Sequence, residues 1–402
     1  MNLCAMDSST QARNTVIIGG GIVGISTAYF LTRHARYDPA IHKITVLEAS
    51  EIAAGSSGKG GGFLASWATP KCLAPLSYEL HKRLANEHGG EKKWGHRTVH
   101  AAEVKLRGRD HTNEDADKDD IPADFDWLDP ESIKSYHPVG TPADSAQVHP
   151  FLLTNALAEL AEQSGVNIIL GHAKGINYAS SDSSGIRVGS VSYTPQSQAE
   201  NEMPLPASDI VVAAGPWTSK LLPRVKLLSP KGHSMVIQPN TNRTISPHIL
   251  FAEIQSPDVG TLTPDIYPRP RDSLHSFETI YTSAPDSYND DLPSRAADTV
   301  IQKEEIDKLY KTVSSVSSVV RDGKVIATQA CYKAQIRKHE EGEEVGPIVG
   351  PVPGIRGLWV ATGLDEWGVQ NGPGVGLLMS EMILDGEARS ADVRALDPKH
   401  WI

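Results

Sequence analysis

The first half of the chain alternates short β-branched apolar runs with segments whose apolar positions follow a helical period. Thr15 to Ile18 predicts a strand, the glycines from 19 to 21 predict a tight turn, and Ile22 to Thr32 predicts a helix. Lys43 to Leu47 predicts the next strand, which ends at Glu48. This order is typical of a βαβ unit in a parallel sheet, and its crossover is expected to be right-handed.

The same pattern returns further along the chain. Apolar positions from Leu152 to Gln163 share one helical face, and Val166 to Leu170 predicts a buried strand of the same sheet. A hairpin is expected at Gly185 to Thr194, and Ile210 to Gly215 then predicts a return to the core. Leu358 to Thr362 predicts a last strand of the sheet.

The segment from about Val236 to Lys324 differs, with scattered strand patterns and one polar helix near Lys303 to Val313. Because a chain of 402 residues exceeds most single cores, we expect two domains. The expected fold class is α/β, with a Rossmann-type dinucleotide-binding domain and a second α+β substrate domain containing a mixed β-sheet. The first domain would comprise residues 12–90, 146–235 and 325–402, and the second, a substrate-binding cap, residues 91–145 and 236–324.

Composition and charge exclude several functions. A net charge of −11 leaves no cationic excess for binding DNA or RNA. The scattered Cys4, Cys72 and Cys331 suggest neither a disulfide framework nor a thiolate zinc site. The acidic stretch from Arg109 to Asp126 predicts a solvated loop. No metal is expected, since four histidines without tight metal-ligand spacing are expected at the surface, namely His81, His88, His96 and His100.

The first glycine motif fits G-x-G-x-x-G directly after a strand. Its first glycine makes the tight turn, its second admits a pyrophosphate, and its third lets the helix pack on the strand. Glu48 ends the second strand, where a carboxylate accepts hydrogen bonds from ribose hydroxyls and repels a 2′-phosphate, which favours FAD or NAD over NADP. The alternatives are a glycine turn without a ligand and an exposed strand-end glutamate. The expected dinucleotide contacts are Gly19, Gly21, Ile22, Val23, Gly24, Glu48 and Ala49.

A second glycine-rich stretch, Gly55 to Gly62, follows about 30 residues later. Its composition predicts a loop without regular structure that lets the backbone approach a ligand closely. An NAD enzyme would continue into further plain βα units, so this loop favours FAD. The expected contacts from this loop are Ser56, Ser57, Gly58, Lys59, Gly61, Gly62 and Phe63.

Four motifs in a fixed order carry a family resemblance: Val16 to Gly24, Gly55 to Phe63, Val211 to Trp217 and Val360 to Gly363. Over nearly its whole length the chain resembles the D-amino-acid oxidase, glycine oxidase and sarcosine oxidase family of FAD-dependent oxidoreductases. The resemblance implies an FAD cofactor. It also implies cofactor contacts from Lys174, Ala214, Gly215, Trp217, Gly363, Asp365, Trp367, Gly368, Val369, Asn371, Gly372 and Pro373.

The C-terminal segment Leu364 to Gly374 most resembles a fungal branch of oxidoreductases linked to late-endosome-to-Golgi transport. Pro373 is expected to pre-set the first turn of a helix over Gly374 to Leu384, whose uncovered amides would face flavin N1 and C2=O and stabilise negative charge there. The alternative is a plain glycine-rich helix start. Neither a signal peptide nor a transmembrane segment is expected, so the predicted location is cytoplasmic, with endosome association as the alternative.

Three positions depart from or bear on the family pattern. The family's carboxylate-binding arginine is replaced by Lys333, which keeps the charge without the bidentate fork. The alternative is that Lys333 is an ordinary surface lysine. The candidate substrate-binding residues are Lys333, Arg269 and Tyr281. Phe277 to Tyr281 lacks the lysine that promotes oxygen reactivity in sarcosine-type oxidases. Cys331 stands where relatives attach flavin covalently, and a buried strand cysteine is the alternative.

The resemblance implies a reaction without assigning a catalytic residue. A small amine or amino acid would lose hydride from a C–N bond to flavin N5, and oxygen or another electron acceptor would reoxidise the flavin. The rival hypothesis is a flavin-binding trafficking or scaffold protein with weak or no turnover, because a fold does not fix a function.

Overall fold

The computed structural model describes residues 12–109, 121–179, 185–198, 201–241, 244–289, 291–337 and 346–402. The predicted acidic loop therefore lies largely outside the described residues, and Cys4 lies outside them as well.

The strands are β1 (Arg13–Ile18), β2 (His42–Glu48), β3 (Phe63–Ala65), β4 (Arg97–Thr98), β5 (His100–Arg107), β6 (Ile133–Gly140), β7 (Ser145–Gln147), β8 (Asn167–Ala179), β9 (Ile186–Pro195), β10 (Met203–Pro206), β11 (Asp209–Val212), β12 (Leu227–Leu228), β13 (Lys231–Gln238), β14 (His248–Ser256), β15 (Gly260–Leu262), β16 (Asp265–Arg269), β17 (Thr279–Ser283), β18 (Lys324–Tyr332), β19 (Gln335–Ile336), β20 (Ile348–Pro351), β21 (Ile355–Arg356) and β22 (Leu358–Thr362). The α-helices are α1 (Ile22–Leu31), α2 (Ser56–Lys59), α3 (Ala74–His88), α4 (Gly90–Trp94), α5 (Pro150–Glu162), α6 (Thr218–Leu221), α7 (Lys303–Ser314), α8 (Ser318–Arg321) and α9 (Gly368–Asp385).

The first large sheet has the strand order β10-β9-β8-β2-β1-β11-β22-β20, and its central strands β8, β2, β1, β11 and β22 run parallel. Ile17 and Val46 point into a core that also contains side chains of α1, α5 and α9, whereas Val16 and Val212 belong to a core cluster on the other face. A strand buried on both faces requires a continuous apolar run, which explains the β-branched sequence of β1. The predicted parallel sheet is confirmed.

The second large sheet has the order β18-β13-β17-β16-β14-β5-β6. It is mixed, because β14 and β5 are parallel while the other neighbours in this order are antiparallel. One face packs on α7 and α8 through residues such as Ile237 and Leu309, and the other turns Val236, Tyr267 and Tyr281 towards β3. The expected mixed sheet is confirmed. Its strands β13 and β18 cross the boundaries expected at 235/236 and 324/325, and the division into domains stays a prediction.

The hairpin expected at Gly185 to Thr194 is wrong. This stretch forms the single strand β9, which pairs antiparallel with β8 on one side and with β10 on the other. Val188, Val191 and Tyr193 are buried within it. The glycine at 189 lies inside the strand beside β8 and makes no turn, so the burial of the apolar side chains determined the structure of this stretch.

Candidate functional site

Four neighbouring parallel strands, β2, β1, β11 and β22, end at one edge of the first sheet. Because parallel strands carry their carboxyl ends to the same side, the loops that follow them meet there and leave a crevice. A cavity of about 310 Å³ lies at this edge, and we call it the first cavity. Its wall includes one residue at the end of each strand or just after it, namely Gly19, Glu48, Ala214 and Gly363.

The first glycine motif shapes the floor of this cavity. Gly19 has φ +116°, and a Cβ there would lie 2.3 Å from the Ala213 carbonyl oxygen. A Cβ on Gly24 would lie 2.1 Å from the Gly19 carbonyl oxygen, so the third glycine serves helix packing and does not line the cavity. The backbone N–H of Ile22, at the start of α1, donates to Ser57 Oγ at 2.9 Å. The turn therefore carries the N-terminus of α1 to the cavity wall.

Glu48 is held at the rim by backbone donors. Its Oε2 accepts from the Gly20 N–H at 2.7 Å, and its Oε1 accepts from the Ser50 N–H at 2.8 Å. Burial raises the pKa of the Glu48 carboxyl, and the bonds from Gly20 and Ser50 oppose that rise. The carboxylate is thus fixed in orientation before any ligand binds.

The second glycine stretch is not wholly irregular, since Ser56 to Lys59 forms the one-turn helix α2. A Cβ on Gly58 would lie 2.2 Å from the Ala53 carbonyl oxygen, and the Lys59 Nζ donates to the Ala330 carbonyl oxygen at 3.0 Å. These contacts and the bond from Ile22 to Ser57 Oγ fix the turn between the two sheets. Long-range contacts therefore impose regular structure on a segment whose composition predicts none.

Arg269 lies beneath the glycine-rich loop and lines neither cavity described here. Its buried guanidinium donates through Nη2 to the carbonyl oxygens of Gly60 at 2.6 Å and Gly61 at 3.2 Å, and it stacks 4.5 Å from the centre of the Tyr281 ring. Burial lowers the pKa of this guanidinium to about 10. The Tyr281 hydroxyl donates to the Lys59 carbonyl oxygen at 3.0 Å. Both predicted substrate-binding residues thus support the loop, although Tyr281 also lines a cavity.

A second cavity of about 400 Å³ lies between the second sheet, the glycine-rich loop and the start of α9. Tyr267 and Tyr281 are register partners on its sheet wall, as are Asp265 and Ser283. The second cavity adjoins the first, because four residues line both: Ser56, Ser57, Asp365 and Gly368.

The helix near the C-terminus begins at Gly368, so the prediction that Pro373 opens it is wrong. Pro373 lies inside α9, where its missing N–H leaves the Val369 carbonyl without its usual helical donor. His81 Nε2 lies 3.0 Å from that oxygen and 3.1 Å from the Gln370 carbonyl oxygen, and it must donate because both partners are acceptors. His81 is buried, contrary to the expectation of a surface histidine, and burial lowers its pKa to about 4, which keeps it neutral.

Most of the predicted cofactor contacts line one of the two cavities. In the first cavity are Gly19, Gly21, Ile22, Val23, Glu48, Ala49, Ser56, Ser57, Lys174, Ala214, Gly215, Trp217, Gly363, Asp365 and Gly368. In the second are Gly61, Gly62, Phe63, Trp367 and Val369, together with the substrate-side candidates Tyr281, Cys331 and Lys333.

A smaller group of predicted contacts lines neither cavity: Gly24, Gly58, Lys59, Asn371, Gly372 and Pro373. Their positions have packing reasons. A Cβ on Gly372 would lie 2.7 Å from the Ile22 side chain, where α9 crosses α1, and Asn371 Nδ2 donates to the Thr69 carbonyl oxygen at 2.8 Å. The contacts of Asn371 and Gly372 hold α9 in place at the cavity edge.

Lys333 lines the second cavity but is already paired. Its Nζ lies 2.7 Å from Asp286 Oδ2 and 3.2 Å from Glu366 Oε1. Burial alone would lower the pKa of the Lys333 ammonium, but Glu366 and Asp286 raise it above its ordinary value. With 19% of its side chain exposed, Lys333 is not an ordinary surface lysine, and its role in substrate binding stays a prediction.

Several cavity residues were missed by sequence reasoning. His172, Lys220 and Arg295 line the first cavity, and Asp265, Asp286 and Glu366 line the second. The loop that contributes Arg295 is fixed by the bond from Trp217 Nε1 to the Pro293 carbonyl oxygen at 2.7 Å. No local motif marks these positions, because the tertiary contacts between distant segments bring them together.

Burial sets the protonation of two further groups in the second cavity. Burial and the charge of Glu366 raise the pKa of the Asp265 carboxyl to about 7, against the bond from the Tyr267 hydroxyl at 3.2 Å. Burial raises the pKa of the Cys331 thiol to about 11, so it is protonated near neutral pH. A neutral thiol is a poor nucleophile.

The described residues contain neither a membrane-spanning helix nor a three-ligand metal cluster. No helix among them is long and apolar enough to cross a membrane. In the same ranges, no group of three His, Cys, Asp or Glu side chains is arranged to hold a metal ion.

Relatives of known sequence support one family. TDA3 of Saccharomyces cerevisiae, which carries an oxidoreductase name, is 27% identical and aligns with 98% of this chain and 95% of its own length. A protein of Schizosaccharomyces pombe with an oxidoreductase name is 30% identical over 97% of this chain and 99% of its own length. Mitochondrial dimethylglycine dehydrogenase of Mus musculus is 26% identical over 96% of this chain, which spans 44% of that protein.

Solved structures support the fold. Glycine oxidase from Bacillus cereus superposes with a TM-score of 0.68 at 18% identity, covering 94% of this chain and 96% of that one. L-Proline dehydrogenase from P. horikoshii superposes with a TM-score of 0.69 at 17% identity, covering 96% and 97%. At such identities the similarity establishes the fold alone.

The first cavity fits a flavin dinucleotide. Glycines leave its turn open, the N-terminus of α1 meets it, a fixed carboxylate stands at the adenosine end of the motif, and a second cavity adjoins it. The family model described as FAD dependent oxidoreductase matches residues 14–382. The chain therefore belongs to the FAD-dependent oxidoreductase family, and FAD is its cofactor.

Proposed function

We propose that the protein oxidises a C–N bond of a small amine or amino acid bound in the second cavity, with FAD extended through the first. The observation that carries this proposal is the junction of the two cavities at Ser56, Ser57, Asp365 and Gly368. A substrate in the second cavity would meet the cofactor there. The family and fold, which are those of amine and amino-acid oxidising flavoenzymes, support the reaction type.

The residues predicted to hold FAD act mainly through the backbone. The amides at the start of α1 would face the pyrophosphate, and Glu48 would accept from the adenosine ribose. The N-terminus of α9 reaches the junction at Gly368, where it would stabilise developing negative charge. When bound, FAD supplies the hydride acceptor at N5.

The second cavity would position the substrate and exclude water. Phe63, Phe251 and Trp367 form an aromatic wall with ring centres 5.5 and 6.2 Å from Phe63, and Tyr267 faces Tyr281 at 5.6 Å. Apolar walls strengthen the electrostatic contacts within a site. Hydride transfer requires a neutral amine, and the Asp265 carboxyl, with a pKa of about 7, can take up the proton that an ammonium loses.

An anaerobic screen tests this function. The holoprotein is mixed with amines and amino acids, and the loss of visible flavin absorbance is followed. Reduction of the flavin by at least one such compound supports the proposal. Turnover of that compound is then measured in air, with detection of hydrogen peroxide, and with an artificial electron acceptor. The comparison of the two rates distinguishes an oxidase from a dehydrogenase. Reduction by dithionite but by no amine or amino acid would contradict it and favour a flavin-binding protein with little turnover.

A further inference from the structure

The second cavity carries an unusual balance of charge for an amino-acid site. Among the described residues that line it, four have carboxyl groups and one has an ammonium: Asp265, Asp286, Asp365, Glu366 and Lys333. His233 also lines the cavity, and its Nε2 accepts from the Gln302 backbone N–H at 3.2 Å. The cavity is acidic even after its ammonium is counted.

The one ammonium is held by carboxylates. Lys333 lies within ion-pair distance of both Asp286 and Glu366, and the Asp286 side chain is only 15% exposed. A substrate carboxylate would have to share the Lys333 ammonium with both partners and would add another negative group beside Asp265 and Asp365. Repulsion between the substrate carboxylate and these carboxylates opposes binding in a poorly hydrated site.

The aromatic side chains supply an independent reason to expect a cation. Phe63, Phe251 and Trp367 cluster at one side of the cavity, and Tyr267 and Tyr281 at another. Aromatic faces combined with carboxylates are the usual surroundings of alkylated ammonium ligands. The carboxyl of Asp365 also has one oxygen, Oδ1, that is buried without a hydrogen-bond partner in the described part of the chain, while its Oδ2 accepts from Gln335 Nε2 at 2.9 Å.

Resting on the proposed function, we infer that the second cavity takes a cationic alkylamine without a carboxylate group, in preference to an amino acid. The aromatic walls would hold the alkyl groups, and the enclosed carboxylates of Asp286 and Asp365 would face the ammonium. A metal ion in place of the ammonium is not favoured, since the described residues contain no three-ligand group. Lys333 would limit the negative charge of the site and leave the carboxylates in place.

Binding to the flavin-loaded protein tests this inference without turnover. The cationic probe is tetramethylammonium, which has no N–H and therefore cannot become the neutral amine that hydride transfer requires. The anionic probe is pivalate, which has a similar size, and tert-butanol is the uncharged control. Calorimetry is expected to show tetramethylammonium binding at least about ten-fold more tightly than pivalate, the size of one charge-assisted contact. Tighter binding of pivalate, or no binding of tetramethylammonium, would overturn the inference.

Two substitutions in the same ion pair should have opposite effects. Asp286→Asn is expected to weaken tetramethylammonium about ten-fold and to tighten pivalate, whereas Lys333→Gln should tighten tetramethylammonium. Asp322→Asn, a surface change with 61% of the side chain exposed, is the control for net charge. The flavin content of each variant shows whether it has folded, and Asp286→Glu should restore cation binding if Asp286→Asn loses flavin. Equal effects of Asp286→Asn and Asp322→Asn would overturn the inference.

The outcomes separate this inference from the proposed function. Flavin reduction by amino acids in a protein that does not bind tetramethylammonium would leave the oxidation of a C–N bond standing and reject the cationic substrate. Tight binding of tetramethylammonium in a protein whose flavin no amine reduces would reject the proposed function while retaining the cation site.

Discussion

The two adjoining cavities are built in different ways. The first is shaped by backbone: Gly19 and the N-terminus of α1 form its turn, and even Glu48 is fixed by main-chain N–H groups. The second is shaped by side chains that come from distant strands, such as Phe251, Asp265 and Lys333. A cavity made by backbone can serve one cofactor across a family, while a cavity made by side chains can change its substrate by substitution.

The largest effect is expected for a substitution in the first cavity that prevents the cofactor from binding. In Gly21→Leu the side chain would enter the first cavity, where even a Cβ would lie 3.0 Å from Ser57 Oγ. Purified Gly21→Leu is expected to contain no flavin, measured as flavin absorbance per chain. Gly175→Leu is the matched control, because a Cβ at Gly175 meets nothing within 4 Å. Normal flavin content in Gly21→Leu would refute the placement of FAD.

Arg269 tests whether the side chains beneath the glycine-rich loop support that loop, which lines both cavities. Arg269→Met leaves the carbonyls of Gly60 and Gly61 without their donor, and the expected loss in the free energy of unfolding is about 2 to 4 kcal/mol. Flavin affinity should fall with it, as measured by thermal unfolding and FAD titration. Arg394→Met, which removes an exposed ion pair with Asp392, is the control and should leave the free energy of unfolding unchanged. Equal stability of both variants would show that Arg269 is dispensable to the loop.

Asp265 gives a pH-dependent effect in the second cavity. Its folded pKa of about 7 lies above the ordinary value of 3.8, so the folded chain holds this proton longer than the unfolded chain does. Ionisation therefore costs stability as pH rises from about 4 to about 7. The free energy of unfolding of Asp265→Asn relative to the original protein should rise over that range by about 2 to 4 kcal/mol, measured by chemical unfolding. A difference that is constant with pH would contradict this.

The smallest expected effect concerns Cys331. Since burial keeps its thiol protonated, acid precipitation is expected to release nearly all flavin into the supernatant. Cys331→Ala should release the same fraction. Flavin that stays with the precipitated protein, and is released from the variant, would establish a covalent link.

The contrast between the cavities also explains what the sequence could predict. Gly19 and Glu48 belong to one continuous βαβ segment, so their spacing is enough to place them at a dinucleotide site. Asp265 and Glu366 are 101 positions apart and meet only because a sheet strand and the turn before α9 face one cavity. The true start of α9 at Gly368 was hidden as well, because the donor that allows Pro373 inside the helix comes from His81.

A comparison of flavin affinity with amine affinity in Asp286→Asn tests directly whether the first cavity holds the cofactor and the second the substrate. FAD binding is expected to be unchanged, because Asp286 lines the second cavity and not the first. The apparent Kd of an alkylamine for anaerobic flavin reduction is expected to rise about ten-fold. Loss of FAD binding in parallel with amine binding, or no change in either, would contradict the assignment of separate roles to the two cavities.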